Sequence, residues 1–297
     1  MSKVPLVTVI CSCFNHEAYI SHSLDSVLNQ TYKNIELIIV DDNSTDASLL
    51  KISKWLGNNP NVNFIKNPVN IGITKSFNNA MQQANGKYYI DLAGDDTLLP
   101  NCVEKLIAVF LDKNDDNLAI VYGNAAGIDE KGKFISAFFE NERLSKIKDA
   151  VSTNFYNHLL ACSDYMCSVS AMYRKDIFDA VNGYDEKLSF EDLDFWLRVT
   201  HKYKIQFIDA IVVEKRFLEN SLGNGFYIKT DYSKKLHMSF YIILEKAYYL
   251  NKNKKEHYAL LQQIYQQSRW AVRTLNLKYL FLYMVLFFKC SYKCIRT

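Results

Sequence analysis

Four times in the first 125 residues an apolar, β-branched or aromatic run gives way to a segment with helical spacing and then to another such run. The runs "LVTVICSCF" (6–14), "IELIIVDD" (35–42), "VNFIKN" (62–67), "KYYIDLA" (87–93) and "LAIVYGNA" (118–125) read as strands. Between them, 16–30, 47–56, 73–84 and 99–112 read as helices. The first spaces Ile20, Leu24 and Val27 along one face, and the last is opened by Pro100. Helical segments between strands are crossovers, and crossovers join parallel neighbours. The alternation therefore predicts an α/β chain with a Rossmann-like, mostly parallel, doubly wound central sheet flanked by helices.

From residue 126 the pattern loosens, and 129–165 resists division. "CSVSAMYR" (167–174) reads as a further strand, "NGYDEKLSFEDLDFWLRVTHKY" (182–203) as a turn and a helix, "KIQFIDAIVVEKR" (204–216) as extended and "LENSLGNG" (218–225) as a flexible loop. A compositional boundary near Gly225 separates a body, with halves 1–125 and 126–225, from an extension, 226–297. The extension is expected to be helical and basic. Residues 251–297 hold nine Lys or Arg and one acid, so the net +3 of the chain conceals +8 there and −5 elsewhere. An acidic body with a cationic appendage is not the footprint of a nucleic-acid binder. The seven cysteines lack paired zinc-type spacing and are expected to be free thiols.

No stretch reaches the roughly 18 uninterrupted apolar residues of a membrane span, and "MSKVPLVTVICSCFNHE" lacks the layout of a signal peptide, which predicts a cytoplasmic protein. From Leu261, the positions Tyr265, Ser268, Val272, Leu275, Tyr279, Leu282 and Leu286 recur by threes and fours and predict one helical face. "YLFLYMVLFF" (279–288) is apolar all round, with Lys278, Lys289, Lys293 and Arg296 beside it. That composition predicts peripheral attachment to anionic lipid on the cytoplasmic face of a membrane; packing on the body or on a second copy is the alternative.

Parallel sheets bind ligands beyond the carboxyl ends of their strands. Three of the strands end there in polar residues: Phe14–Asn15, Asp41–Asp42 and Asp95–Asp96. The last pair closes an apolar run with no intervening turn. Unpaired carboxylates are costly to bury, so a cation or water must meet them, and a hard divalent ion such as Mg²⁺ or Mn²⁺ takes one or two such ligands alongside phosphate oxygens. In "VDDNSTD" (40–46), Ser44 is placed to cap a helix starting near Thr45, with Asp46 in its first turn. Asp42 has no such duty, which leaves Asp41 or Asp42 as an exposed acceptor for a nucleobase N–H or a ribose hydroxyl. Ser189 and Asp192 of "SFEDLDFWLRV" have capping-box spacing; Asp192 could instead act as a base.

Taken in order, "VTVICSCFNHEAYISHSLDSVLNQTYKNIELIIVDDNSTD", "NPVNIGITKSFNNAMQQANGKYYIDLAGDDTLLP" and "NGYDEKLSFEDLDFWLRV" resemble family 2 of the inverting nucleotide-sugar glycosyltransferases, over roughly residues 5–216. The resemblance implies the A-type glycosyltransferase (GT-A) fold for 1–225, with a nucleotide-binding half and an acceptor-side half. It implies that Phe14, Asn15 and Glu17 line the nucleotide site, that Asp42 contacts uracil, that Lys75 reaches the nucleotide and that Asp95 holds the ribose. Asp96 would hold the divalent metal, Mn²⁺ or Mg²⁺, on the diphosphate, and Asp192 would be the general base. The implied partners are a nucleotide-sugar donor, expected to be a uridine one, and a glycan or lipid-linked acceptor. "QQSRW" (266–270) lacks the spacing of the processive synthases' motif, so one sugar per encounter is expected. Two departures keep a non-catalytic nucleotide-sugar or glycan-binding relative as the alternative: Ala93 stands where many relatives have an acid, and Leu218 where relatives often have a metal-binding His. A sugar nucleotidyltransferase would need a Gly-rich phosphate loop that "VICSCFNHEAY" does not supply.

Overall fold

The computed structural model describes residues 4–218 and 230–296. The expected boundary near Gly225 and most of the expected loop 218–225 lie outside the described residues. Strands β1 (Val7–Cys13), β2 (Ile35–Asp41), β3 (Asn63–Lys66) and β4 (Tyr88–Ala93) alternate with helices α1 (Ile20–Leu28), α2 (Ser48–Asn58) and α3 (Ile73–Met81). Every residue of β1 is buried, as a central strand covered on both faces requires. β1 pairs in parallel with β2 and with β4, and β2 with β3. The chain therefore steps outward from β1 to β3 and returns to the other side of β1. Right-handed crossovers in opposite directions put α1 and α2 on one face and α3 on the other. The reversal leaves a crevice at the carboxyl ends of β1 and β4, the ligand position of doubly wound sheets.

The two-residue strand β5 (Thr97–Leu98) and α4 (Cys102–Lys113) lead into β6 (Leu118–Ile128), β7 (Phe134–Ala137), α5 (Asn141–Ser152) and α6 (Phe155–Ala161). A 3₁₀ turn precedes β8 (Ala171–Arg174), which is followed by α7 (Lys175–Ala180), α8 (Asp192–Thr200) and β9 (Lys204–Arg216). Among the described residues the sheet order is β3-β2-β1-β4-β8-β6-β9-β5, with β7 on β6. The strand expected at 118–125 is β6, and it does not pair with β4. Instead β8 lies between them, antiparallel to both. Aromatic contact explains the insertion: Tyr89 on β4 stands opposite Tyr173 on β8, their rings stacked at 5.0 Å, and Phe178 from α7 meets Tyr89 edge-on at 5.3 Å.

By contacts the chain divides into two units. The first holds the whole sheet, from residues 1–146, 167–183 and 203–217; the second takes 147–166, 184–202 and 218–297. Residues 126–225, expected as one half, are thus shared between the units, because β8 and β9 return to the sheet while α6 and α8 join the C-terminal helices.

Those helices are α9 (Asp231–Leu250), α10 (Lys254–Arg273) and α11 (Leu277–Arg296). The single face expected from Leu261 to Leu286 does not exist as one surface, because the helix stops at Arg273 and Leu275 adopts φ +55°. Tyr265, Val272 and Leu275 are exposed, and α10 buries His257, Leu260, Ile264 and Ala271 instead. Buried polar groups pin the break: His237 shares a hydrogen bond with the Thr274 hydroxyl at 3.0 Å, and the Tyr283 hydroxyl donates to the His237 carbonyl at 3.0 Å. Among the described residues no helix is long and apolar enough to cross a membrane, and all seven cysteines are free thiols.

Within the sheet unit, the amide of Gly86 donates to the Thr8 hydroxyl at 2.9 Å. A Cβ added there would lie 2.5 Å from the Thr8 backbone nitrogen and 2.7 Å from the Tyr88 carbonyl. Gly86→Ala is therefore expected to destabilise the protein by about 2 kcal/mol, seen as a lower urea midpoint at unchanged slope.

Candidate functional site

The parallel strands end level: Cys13 is opposite Asp41, Ser12 opposite Ala93 and Asp41 opposite Lys66. The residues just past each end continue the ladder, with Asp42 donating its amide to the Cys13 carbonyl, Gly94 to Ser12 and Asn67 to Asp41. Phe14–Glu17, Asp42, Asn67 and Gly94–Asp96 consequently form one rim of the sheet unit.

The turn after β1 is laced to the turn after β2. Asn15, at φ +58°, donates its amide to the Ser44 hydroxyl, and its side-chain carbonyl accepts from the Thr45 amide at 2.8 Å. The Glu17 amide donates to Asp46, and the Glu17 carboxylate accepts from the Ala47 amide at 2.6 Å. Ser44 does not cap α2, which starts only at Ser48. Its hydroxyl donates to the buried Asp41 carboxylate at 2.5 Å, so it ties the turn rather than the helix. Phe14 is left largely exposed at the mouth.

Asp42 is not the exposed acceptor expected from the sequence. It is 5% exposed and accepts three hydrogen bonds, from Asn67 Nδ2 at 2.8 Å and from the amides of Ile71 and Gly72 at 2.9 Å each. Gly72 presents its amide at φ +87°, ψ 149°, a conformation essentially confined to glycine. A carboxylate has about four acceptor positions, so Asp42 organises the entry to α3 and keeps room for one further donor. Lys75 stands exposed in the first turn of that helix.

Asp95 and Asp96 follow β4 and divide their roles. Asp95 is half-buried, with its carboxylate 3.9 Å from His16 Nε2. Asp96 is 1% exposed; its Oδ1 accepts the Arg216 amide at 2.7 Å, while Oδ2 has no hydrogen-bond partner and lies 3.9 Å from Lys215 Nζ. Arg216 closes this corner: its guanidinium donates to the Asp95 and Asp129 carbonyls and lies 4.4 Å from the ring centre of Tyr19. A side chain at Gly94 would approach His16 Nδ1 to 2.9 Å and the Ser12 carbonyl to 3.1 Å, so the glycine lets the loop after β4 pack directly against the turn after β1. His16, Asn67, Lys215 and Arg216 were not singled out in the sequence. His16 sits between two residues that were, whereas Arg216 is recognisable only once β9 is known to end beside β4.

The orphaned Oδ2 of Asp96 fits a hard cation, since a buried carboxylate oxygen without a donor is half of a coordination site. Among the described residues no group of three or more His, Cys, Asp or Glu is arranged to hold a metal alone. A metal here would take its remaining ligands from bound phosphate and water.

Asp192 belongs to the second unit, at the first position of α8, half-buried. The capping box expected with Ser189 is not formed: the helix begins at Asp192 itself, the Ser189 amide donates to the Ser239 hydroxyl, and Asp192 Oδ1 accepts the amide of Leu193. Asp194 has a structural task, accepting from Arg198 and Lys246 at 2.8 Å each.

The family model described as "Glycosyl transferase family 2" matches residues 8–181, and the chain belongs to that family. A hyaluronan synthase from Pasteurella multocida is 31% identical over 212 residues, which is 71% of this chain and 20% of the synthase. An uncharacterised glycosyltransferase from Haemophilus influenzae is 36% identical over 115 residues, 39% of this chain and 35% of that protein. The chain thus spans 35% or less of the length of these two relatives. A Staphylococcus aureus TarS fragment solved with UDP-GlcNAc superposes with a TM-score of 0.67 at 18% identity, over 86% of this chain and 71% of the fragment. A mannosyltransferase from Pyrobaculum calidifontis solved with GDP-Man and Mn²⁺ gives 0.61 at 13%, over 99% and 88%. The fold is accordingly the GT-A fold.

Burial holds the Asp96 carboxyl up at about 6, against the pull of Lys215 and with a further push from Asp95. The folded value exceeds the unfolded one, so the group contributes most stability where both states are protonated, below about pH 4, and loses it as pH rises through 6. Asp96→Asn should therefore match the parent near pH 4 and exceed it above pH 7 by up to about 3 kcal/mol. Melting temperatures of both proteins across that range, without metal or nucleotide, measure the difference.

Proposed function

We propose that the chain is an inverting glycosyltransferase that moves one sugar from a nucleotide-diphospho sugar, a uridine one, to a hydroxyl of a glycan or lipid-linked acceptor in surface polysaccharide synthesis. The observation that carries this reading is Asp96: a carboxylate placed at the crevice of a doubly wound sheet, shut off from water, with one oxygen held and the other unmet. The UDP-GlcNAc bound by the TarS fragment supports a uridine donor, and the naming of relatives as hyaluronan and chondroitin synthases supports a polysaccharide product.

In this reading Phe14, Asn15 and Glu17 form the wall against which the nucleotide lies. Asp42 uses its remaining acceptor position for the uracil N–H, Asp95 accepts from the ribose hydroxyls, and Lys75 faces the phosphates. Asp96 holds the divalent ion, Mn²⁺ or Mg²⁺, which when bound neutralises charge on the leaving diphosphate. The Mn²⁺ in the mannosyltransferase structure supports that assignment. Asp192 accepts the proton of the acceptor hydroxyl as its oxygen attacks the anomeric carbon from the side opposite the diphosphate, which inverts the centre. The chemistry needs Asp192 ionised.

The test pairs binding with turnover. UDP should raise the melting temperature, and more so with Mn²⁺. Asp192→Asn should lower transfer by about 10²- to 10⁴-fold while leaving the UDP shift intact. Asp96→Asn should remove the metal-dependent part of that shift. Nucleotide binding with no transfer from any donor, Asp192 being intact, would identify a non-catalytic relative.

The C-terminal helix carries the second part of the proposal, attachment to the cytoplasmic membrane face. On α11 the apolar side chains Phe281, Met284, Phe288, Tyr292 and Ile295 are all exposed and fall on one stripe, with Phe288 71% exposed; Lys278, Lys289 and Lys293 run along its flank. Replacing Phe281, Phe288 and Ile295 by Ser should leave folding unchanged and abolish sedimentation with phosphatidylglycerol vesicles.

A further inference from the structure

Within the second unit, α6 and α10 border an open groove of about 690 Å³, in the range of small-ligand sites. Along it α10 presents Lys255, Tyr258, Gln262, Tyr265 and Arg269 at steps of three, four, three and four, so the five side chains form one straight row. Tyr258 and Tyr265 are 63% and 61% exposed, and Tyr165 lines the groove too. The Arg269 guanidinium lies 6.0 Å from the Tyr265 ring centre. Gln266 Nε2 donates to the Ala161 carbonyl at 3.2 Å, which ties α10 to the end of α6 and sets the groove's width.

This is not the makeup of a helix-packing seam, which would be aliphatic. Two tyrosines two helical turns apart, about 10 Å, offer flat faces to the CH faces of successive sugar rings. The amide between them can both donate to and accept from hydroxyls. Among the described residues no Asp or Glu lines the groove, whereas a cation stands at each end of the row, so the ligand is an anion. The two cations are 14 residues apart, about 21 Å along the helix. A nucleic-acid strand carries a charge about every 3.4 Å in helical form and would leave most of its phosphates unmet, while a polysaccharide with one carboxylate per disaccharide matches so sparse a pair. A lipid surface would be met by an unbroken stripe of bulky apolar side chains, as on α11, whereas this row is interrupted at its centre by the amide of Gln262.

We infer that the groove between α6 and α10 binds an acidic oligosaccharide, its rings stacked on Tyr258 and Tyr265 and its carboxylates paired with Lys255 and Arg269. Resting on the glycosyltransferase reading, this ligand is the glycan being extended, gripped by a site that takes no part in the bond-making step.

The test is calorimetric titration of the full chain with hyaluronan and unsulfated chondroitin octasaccharides, a carboxyl-reduced hyaluronan octasaccharide, oligo(dT) and phosphatidylglycerol vesicles, with the UDP melting shift measured on the same samples. At least one acidic octasaccharide should bind, tenfold or more tighter than the carboxyl-reduced one. Tyr258→Ala combined with Tyr265→Ala should weaken it at least tenfold; Lys255→Gln and Arg269→Gln should each weaken it several-fold and flatten its salt dependence. These side chains are exposed, so the melting temperature and the UDP shift should not move. Failure of both acidic octasaccharides to bind, equal binding of the reduced one, indifference to the tyrosine pair, or tighter capture of oligo(dT) or vesicles through the same residues each overturns the inference. A UDP shift without glycan binding overturns the groove alone; glycan binding without a UDP shift overturns the donor reading alone.

Discussion

A carboxylate denied water has to be met by something, and in this protein the meeting of Asp96 with the end of β9 organises the functional corner of the sheet. The Arg216 amide reaches Asp96, and the same residue's guanidinium spans the carbonyls of Asp95 and Asp129 and rests on Tyr19. One residue thereby joins the loop after β4, the loop after β6 and the start of α1. Its bonds to main-chain carbonyls are charge-assisted, and their value lies in fixing geometry where the backbone would otherwise be free. Asp96 itself is held by a single amide, with Lys215 near enough to temper its charge without a close ion pair.

The rest of the rim is built by the same device, side chains accepting from backbone amides of a different loop. Asp42 secures residues 71 and 72, Asn15 and Glu17 secure 45 and 47, and Asp46 secures the amide of Glu17. Loops tied at several points to one another lose little entropy when a ligand arrives, which is how a site formed almost wholly of turns can be preorganised.

The four parallel strands and their helices were legible because their signals are local: each strand is a run of apolar residues, each helix a spacing within its own segment. β8 was read as a strand, but its antiparallel place was not readable, since a four-residue strand takes its direction from partners such as Tyr89 that lie far away in the chain. The break at Leu275 has no Gly or Pro to announce it; the chain turns there because His237 and Tyr283 bind across the gap. Asp95, Asp96 and Asp192 were legible as candidates because the family's motifs name those positions. Their bonding was not. The donors to Asp42 lie 25 to 30 positions away, and what looked from the sequence like a free acceptor is a buried one with a single position left.

The antiparallel strand has a consequence for how the protein is made. As the chain emerges, β1 to β4 can assemble in order, but the outer edge of β4 stays open until residues 172–174 arrive, some eighty positions later. Until then its hydrogen-bonding groups are unpaired beside an otherwise complete half-sheet, an edge able to recruit a strand from another nascent chain. Closing it requires a long loop to be formed before any pairing is gained, so the step is slow. Tyr173 and Phe178, in covering Tyr89, finish this half of the sheet and bring its exposure to aggregation to an end.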